Sequence, residues 1–349
     1  ITSTVQANTD AGFSIVSYDS SGNSSGTIGH GLGVKPGLVI NKTRDSANTV
    51  WVVNTDEIDG SNDYLILNTN AAKGDAYTAP TATTIGSIDY ATNDKVISYC
   101  FASIDGFSRI GTYEGTGSTQ SIETGFEVEF LLIKGTSFAT DWMIYDKKRS
   151  GKNYLIANSS AAEGGPTANP LVTFLSNGFQ VHTSNSENKS GETFIYMAFA
   201  ADADTEAPAV AKSFSTVTYT GTGSAQSIDG LGTTSNGLTS FDSDGFTLGG
   251  GNGFNGSNQN MVAWAWKADD NEPTIEGGAA KAVYKFEDNA NDVTGNYNVS
   301  KRENESIQQS LDSVTVKFNG LSSELNTIKD FSDNFESFSS LLISVLVNL

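Results

Sequence analysis

One cysteine, two histidines and six prolines in 349 residues remove several kinds of chemistry at once. A lone cysteine permits no intrachain disulfide framework. Cys100 lies in the apolar run Val96-Ile97-Ser98-Tyr99-Cys100-Phe101 and is expected as a small core residue. His30 and His182 have neither a cysteine nor a second histidine at ligand spacing, which argues against a zinc site. No Gly-x-Ser-x-Gly elbow is present to carry a nucleophilic serine. The Glu-x-Asp-x-x-Glu string that sets two carboxylates on one strand face for glycoside hydrolysis is missing too, with Glu127-Val128-Glu129 the nearest approach. The run Gly249-Gly250-Gly251-Asn252-Gly253-Phe254-Asn255-Gly256 lacks the Gly-Lys-Ser/Thr ending of a phosphate loop and reads as a connection between strands. The chain is therefore read as no conventional enzyme.

Positive charge is scarce. Twenty Lys and Arg stand against 40 Asp and Glu, and the resulting net charge of −20 repels polyphosphate and anionic headgroups. Neither nucleic acid nor a membrane surface is expected as a partner. Long apolar runs are absent as well: Leu341-Leu342-Ile343-Ser344-Val345-Leu346-Val347 falls far short of the roughly 20 residues that span a bilayer, and reads as a buried strand. No charged region followed by an apolar one trails Ile1, so no signal peptide is read and the chain is expected to be a fragment or a processed product.

What the chain does have is glycine, 36 residues of it, with abundant Ser, Thr and Asn around short apolar stretches. That is the composition of short strands joined by tight turns. No segment of 11 or more residues carries apolar side chains at helical spacing, and only Asn70 to Lys73 and Ser160 to Glu163 suit a single helical turn. An all-β chain is expected, with a length that suits two to four domains.

Internal repetition organises it. A first copy opens with Gly12-Phe13-Ser14-Ile15-Val16-Ser17-Tyr18, a second with Gly106-Phe107-Ser108-Arg109-Ile110-Gly111-Thr112-Tyr113, and a third with Ser213-Phe214-Ser215-Thr216-Val217-Thr218-Tyr219. Trp51-Val52-Val53 then matches Trp142-Met143-Ile144. Tyr64-Leu65-Ile66-Leu67-Asn68-Thr69-Asn70-Ala71-Ala72 matches Tyr154-Leu155-Ile156-Ala157-Asn158-Ser159-Ser160-Ala161-Ala162 without a gap at an offset of 90. Each copy closes on an alternating strand (Ile97, Tyr99, Phe101; Ile195, Met197, Phe199; Val262, Trp264, Trp266), expected to be half-buried, with the tryptophans in the core. Asn177-Gly178 and Asp244-Gly245 predict hairpins with these residues at the turn. The third copy lacks the middle of the module. The expected boundaries are 12–105, 106–204 and a shortened 205–271 for three β-sandwich-like modules, a linker at 272–281, and a last domain at 282–349.

The opening strand, the Tyr-Leu-Ile-x-Asn-x-x-Ala-Ala motif and the closing aromatic strand resemble modules of tail-fibre-like and other virion structural proteins of marine bacteriophages. The last segment, from Val283-Tyr284-Lys285-Phe286-Glu287-Asp288 onward, resembles the start of a laminin-G-like domain, a partial jelly roll of the concanavalin A type. That likeness implies a lectin-like role and a use for calcium. Asp288 and Asp292, within Glu287-Asp288-Asn289-Ala290-Asn291-Asp292, offer hard oxygen ligands for that ion, against the alternative of an ordinary polar turn.

The resemblances imply a virion-surface, extracellular protein that attaches to a host-cell glycan, contacts other virion proteins and forms a homo-oligomer, a trimer as in many fibres. Two alternatives stand beside it: a ligand-free structural spacer or decoration protein of a virion, and a secreted bacterial adhesin or polysaccharide-active enzyme.

Overall fold

The computed structural model describes residues 1–276 apart from 23–24, 47–48, 77, 89, 183–185, 201–212, 223–225, 229–237, 242–245, 250–254 and 269–273. The expected laminin-G-like segment, Asp288 and Asp292, the strand at 341–347 and the Asp244-Gly245 turn all lie outside the described residues. The chain divides into two compact units, Ile1–Gly278 and Ala279–Leu349, and the described strands all belong to the first.

The fold is all-β, with no helix among the described residues. The first copy carries β1 (Ser3–Asn8), β2 (Phe13–Asp19), β3 (Thr27–Gly29), β4 (Leu38–Thr43), β5 (Val52–Thr55), β6 (Asp63–Ile66), β7 (Gly74–Asp75), β8 (Thr84–Gly86) and β9 (Lys95–Phe101). The second carries β10 (Ser108–Glu114), β11 (Gln120–Glu123), β12 (Val128–Gly135), β13 (Met143–Asp146), β14 (Leu155–Ile156), β15 (Val172–Leu175), β16 (Gly178–Val181) and β17 (Thr193–Ala200). The third carries β18 (Phe214–Thr220), β19 (Gln226–Ile228), β20 (Leu238–Phe241), β21 (Phe246–Leu248) and β22 (Asn260–Trp266), and β23 (Thr274–Glu276) follows.

Each copy pairs its opening strand antiparallel to its closing strand: β2 with β9, β10 with β17, β18 with β22. In the first two copies the closing strand also takes a partner on its far side, β4 and β12 respectively. The third copy, which lacks the middle of the module, shows no such partner among the described residues. The first large sheet runs β23-β1-β2-β9-β4-β5-β6-β7 and faces the pair β3-β8; the second runs β10-β17-β12-β13-β14 and faces β11-β16-β15. Strand β23 falls within the stretch expected as a linker and completes the edge beside β1.

Three hydrophobic clusters hold this together. One sits between the two sheets of the first copy (Val16, Ile28, Val39, Ile85, Cys100) and another between those of the second (Leu131, Ile133, Tyr145, Phe179, Tyr196). The third draws on all three copies: Phe13, Leu38 and Phe101; Phe130, Trp142 and Phe199; Phe214, with Trp264 and Trp266 packed against it. The equivalent aromatic residues of the three closing strands meet pairwise, Phe101 to Phe199 at 6.0 Å, Phe101 to Trp266 at 5.8 Å and Phe199 to Trp266 at 5.5 Å between ring centroids. The closing strand of the second copy is thus covered on both faces, whereas β9 alternates between buried and partly buried residues and β22 is at most partly buried, as alternation suggested. In β17 seven of eight residues are buried, one face serving the second copy's own core and the other the shared one. Backbone stitching adds to this: Lys73 N donates to Thr136 O (2.8 Å), Thr140 N to Asn70 O (3.0 Å), and Trp142 Nε1 to Ile66 O (3.0 Å).

The repeated motif has one local purpose in both copies. Asn68 Oδ1 accepts from Trp51 N (2.9 Å) and Asn158 Oδ1 from Trp142 N (2.8 Å), which ties the strand after the tryptophan to the strand before the asparagine. The hairpin at Asn177-Gly178 forms one residue out of the expected position: Leu175 pairs with Gly178, so Ser176 and Asn177 make the turn. Gly178, at φ +150°, begins β16, where a Cβ would stand 2.1 Å from Ile122 O. Close approach to β11 and a positive φ that L side chains rarely adopt both demand the glycine, although it is not one of the two turn residues.

Candidate functional site

On β5 the side chains alternate, Val53 and Thr55 buried on the shared-core side and Val52 and Asn54 on the other. Strand β6 repeats the pattern, with Leu65 in the shared core and Tyr64 turned away from it. The outward set should meet the second sheet, yet that sheet has only β3 and β8 here. Beyond β8 the layer between the sheets opens into a cleft of about 200 Å³, walled by Val39, Val52, Asn54, Asn62, Tyr64 and Ile85, with Asp75 and Ser87 also lining it.

Tyr64 is 38% exposed. Its ring covers Gly74, directly opposite on β7, where a Cβ would stand 2.6 Å from Cε1. Asn62 is buried; its Nδ2 donates to Thr78 O at 2.7 Å, while Oδ1 has no hydrogen-bond partner among the described residues. Asn54 accepts from Asn41 Nδ2 through Oδ1 (3.1 Å), and its own Nδ2 makes no hydrogen bond among the described residues. The β6–β7 hairpin that carries Tyr64 and Asp75 is fixed by an ion-pair triad, in which Lys73 Nζ lies 2.7 Å from both Asp59 Oδ2 and Asp63 Oδ1. Hydrogen bonds to those carboxylates raise the Lys73 pKa, and the Lys73 ammonium holds Asp59 well below the usual carboxylate range.

The second copy closes the same space. The third residue of β13 is Tyr145 where β5 has Asn54, and Tyr145 is fully buried with its hydroxyl on Glu187 Oε1 at 2.6 Å. Leu131 stands for Val39, Met143 for Val52, and Phe179, paired with Ile122 as Ile85 is with Ile28, stands for Ile85. Strand β15 adds a third member to the second sheet. In the first copy the corresponding stretch shrinks to a turn closed by Thr81 N to Thr84 O at 2.7 Å.

The two histidines lie apart and tie loops. His30 is buried, its Nε2 on Thr81 O (3.2 Å) and its Nδ1 accepting from Leu32 N (3.3 Å), so it pins the turn beside the cleft; burial lowers its pKa. His182 sits between Thr119 Oγ1 (3.3 Å) and Thr173 Oγ1 (2.9 Å). Glu127 pairs with Lys147, and Glu129 is buried, its pKa raised by that burial. Among the described residues no three of His, Cys, Asp and Glu gather as a metal site. The cleft residues were missed by motif reading. Their one signal in the sequence is a substitution inside a well-matched repeat, a large aromatic giving way to a small amide three positions after the shared tryptophan.

Residues 1–203 match the model of a family described as a domain of unknown function, DUF7483, a span that takes in the cleft and the whole second copy. No curated protein and no solved structure matches the chain.

Proposed function

The chain belongs to the DUF7483 family, whose description assigns no activity, and from that premise we propose that it is a tail-fibre-like protein of a virion surface that attaches to host cells by binding carbohydrate. The observation that carries this reading is the cleft: two copies of one module share their strands and their motif, and one holds open a ring-sized space that the other fills. A merely structural array has no use for that difference. Repeated β modules with short connections suit a surface protein, and a net charge of −20 favours uncharged partners such as glycans over nucleic acid.

The competing reading, a ligand-free spacer, draws on the shared core, which packs residues of all three copies together. The two are separated by incubating the labelled full chain with host cells and a glycan array, with and without calcium. Saturable binding competed by a free glycan supports attachment. Silence on every cell and glycan from a folded sample supports the spacer. A calcium requirement would bring Asp288 and Asp292 into the account.

A further inference from the structure

We infer that the cleft of the first copy is a subsite for one uncharged pyranose ring, an assignment of ligand class that rests on the attachment reading above.

Size is the first argument. At about 200 Å³ the cleft is smaller than the roughly 300–1,000 Å³ of sites for drug-sized ligands and close to the about 150 Å³ that accommodates a single benzene ring. One six-membered ring fits. The walls then select its character. Val52 is partly exposed above the buried Val39 and Ile85, and the half-exposed Tyr64 offers a flat ring. The C–H face of a pyranose is apolar and flat enough to lie on such a surface, as aromatic side chains present a large rigid apolar face.

Polar groups supply the rest. Asn62 Oδ1 is a buried acceptor without a partner among the described residues, covered from a water-sized probe, so a ring hydroxyl reaches it once the side chain turns toward the cleft. Asn54 Nδ2 is a donor in the same wall. A sugar hydroxyl both donates and accepts, so adjacent hydroxyls serve both amides. Charge decides the class. Asp75 lies at the cleft, and the nearby cation, Lys73, is engaged by Asp59 and Asp63. With a carboxylate at its edge and that ammonium committed, the site repels a uronate or sialate and accepts a neutral ring.

The second copy supplies the control that tests this. Asn54→Tyr installs in the first copy the residue the second copy uses to fill the space; Tyr64→Ala removes the platform; Tyr154→Ala makes the same truncation in the second copy, where Tyr145 and Phe179 occupy the corresponding space. Saturation-transfer NMR and calorimetry on the full chain would use the methyl glycosides of glucose, galactose and mannose, with methyl glucuronide as the anionic probe. We expect at least one neutral glycoside to bind, at least a tenfold loss in Asn54→Tyr and Tyr64→Ala, no change in Tyr154→Ala, and no binding of the glucuronide. Absence of binding by every neutral glycoside overturns the inference, as does equal binding in Asn54→Tyr and Tyr64→Ala, or binding of the glucuronide as tight as that of glucose. Cell binding by the same variants keeps the two proposals apart. Wild-type adhesion unchanged in both cleft variants leaves attachment standing and overturns the cleft, whereas cleft-dependent glycoside binding without any adhesion does the reverse. Thermal melts verify that each variant is folded.

Discussion

Truncating Phe199 to Ala should loosen all three copies at once. Phe199 is 1% exposed and touches five rings drawn from every copy: Phe101 of the first; Phe107 and Phe130 of the second; Phe214 and Trp266 of the third, at centroid separations from 5.2 to 6.2 Å. A buried Phe→Ala change costs about 3–5 kcal/mol through lost transfer free energy and the cavity left behind. Aromatic pairs add roughly 0.5–1.5 kcal/mol beyond area, and the surrounding rings are rigid and close in poorly, which places this site near about 5 kcal/mol. At roughly 2–4 °C per kcal/mol for a body of this size, the melting temperature should fall by about 10–20 °C. The sharper readout is hydrogen exchange. Amides of β2 and β9 in the first copy and of β18 and β22 in the third should lose protection together with those of β10 and β17. Phe179→Ala, of similar cost but confined to the second copy's own core, should expose β11, β15 and β16 and leave the first and third copies protected. If Phe199→Ala raised exchange in the second copy alone, the copies would be independent domains and the shared core would carry no cooperativity.

Three more outcomes rest on particular side chains. Because burial lowers the His30 pKa, the unfolded chain takes up a proton near pH 6.5 that the folded chain refuses, so stability should fall as pH drops below about 6.5. Urea midpoints at pH 7.5 and 5.5 would show this, with the slope reduced in His30→Gln. Lys73→Ala leaves the fully buried Asp63 without its cation and should cost about 2–3 kcal/mol by denaturant titration, less than the roughly 3–5 kcal/mol of a wholly buried pair because Lys73 is a quarter exposed. Cys100, buried and with its thiol pushed up to about 12, should resist a disulfide reagent at pH 8 in the native state and react within seconds in denaturant.

Repetition and the closing aromatic strands were legible because each is a property of sequence spacing. The Tyr-Leu-Ile-x-Asn motif was legible as a repeat, though not as the clamp on Trp51 and Trp142 that the asparagines provide. The shared core was not. Alternation along Ile195, Met197 and Phe199 tells which face of β17 is apolar, but the opposite face, Phe194, Tyr196 and Ala198, is apolar too and buries against a different sheet. A strand apolar on both faces declares that it is covered twice without saying by what. Gly178 misled for a related reason: a glycine after asparagine suits a turn, and only its place at the start of β16 shows that its positive φ and the nearness of Ile122 O are what require it.

The cleft and the shared core also bear on one another. A homotrimer of a single module would carry identical residues in every copy, so any space opened in one is opened in all. Three copies within one chain escape that constraint. The contacts that hold them together, among Phe101, Phe199 and Trp266, lie on the face of the large sheets opposite to the one that walls the cleft. Position 54 or 145 is therefore free to change without disturbing the assembly: Tyr145 with Phe179 fills the core of the second copy, and Asn54 with Ile85 leaves room in the first. Association thus rests on one face of each sheet and divergence between the copies on the other. The alternation of side chains along a strand makes the two separable, because successive residues answer to different neighbours.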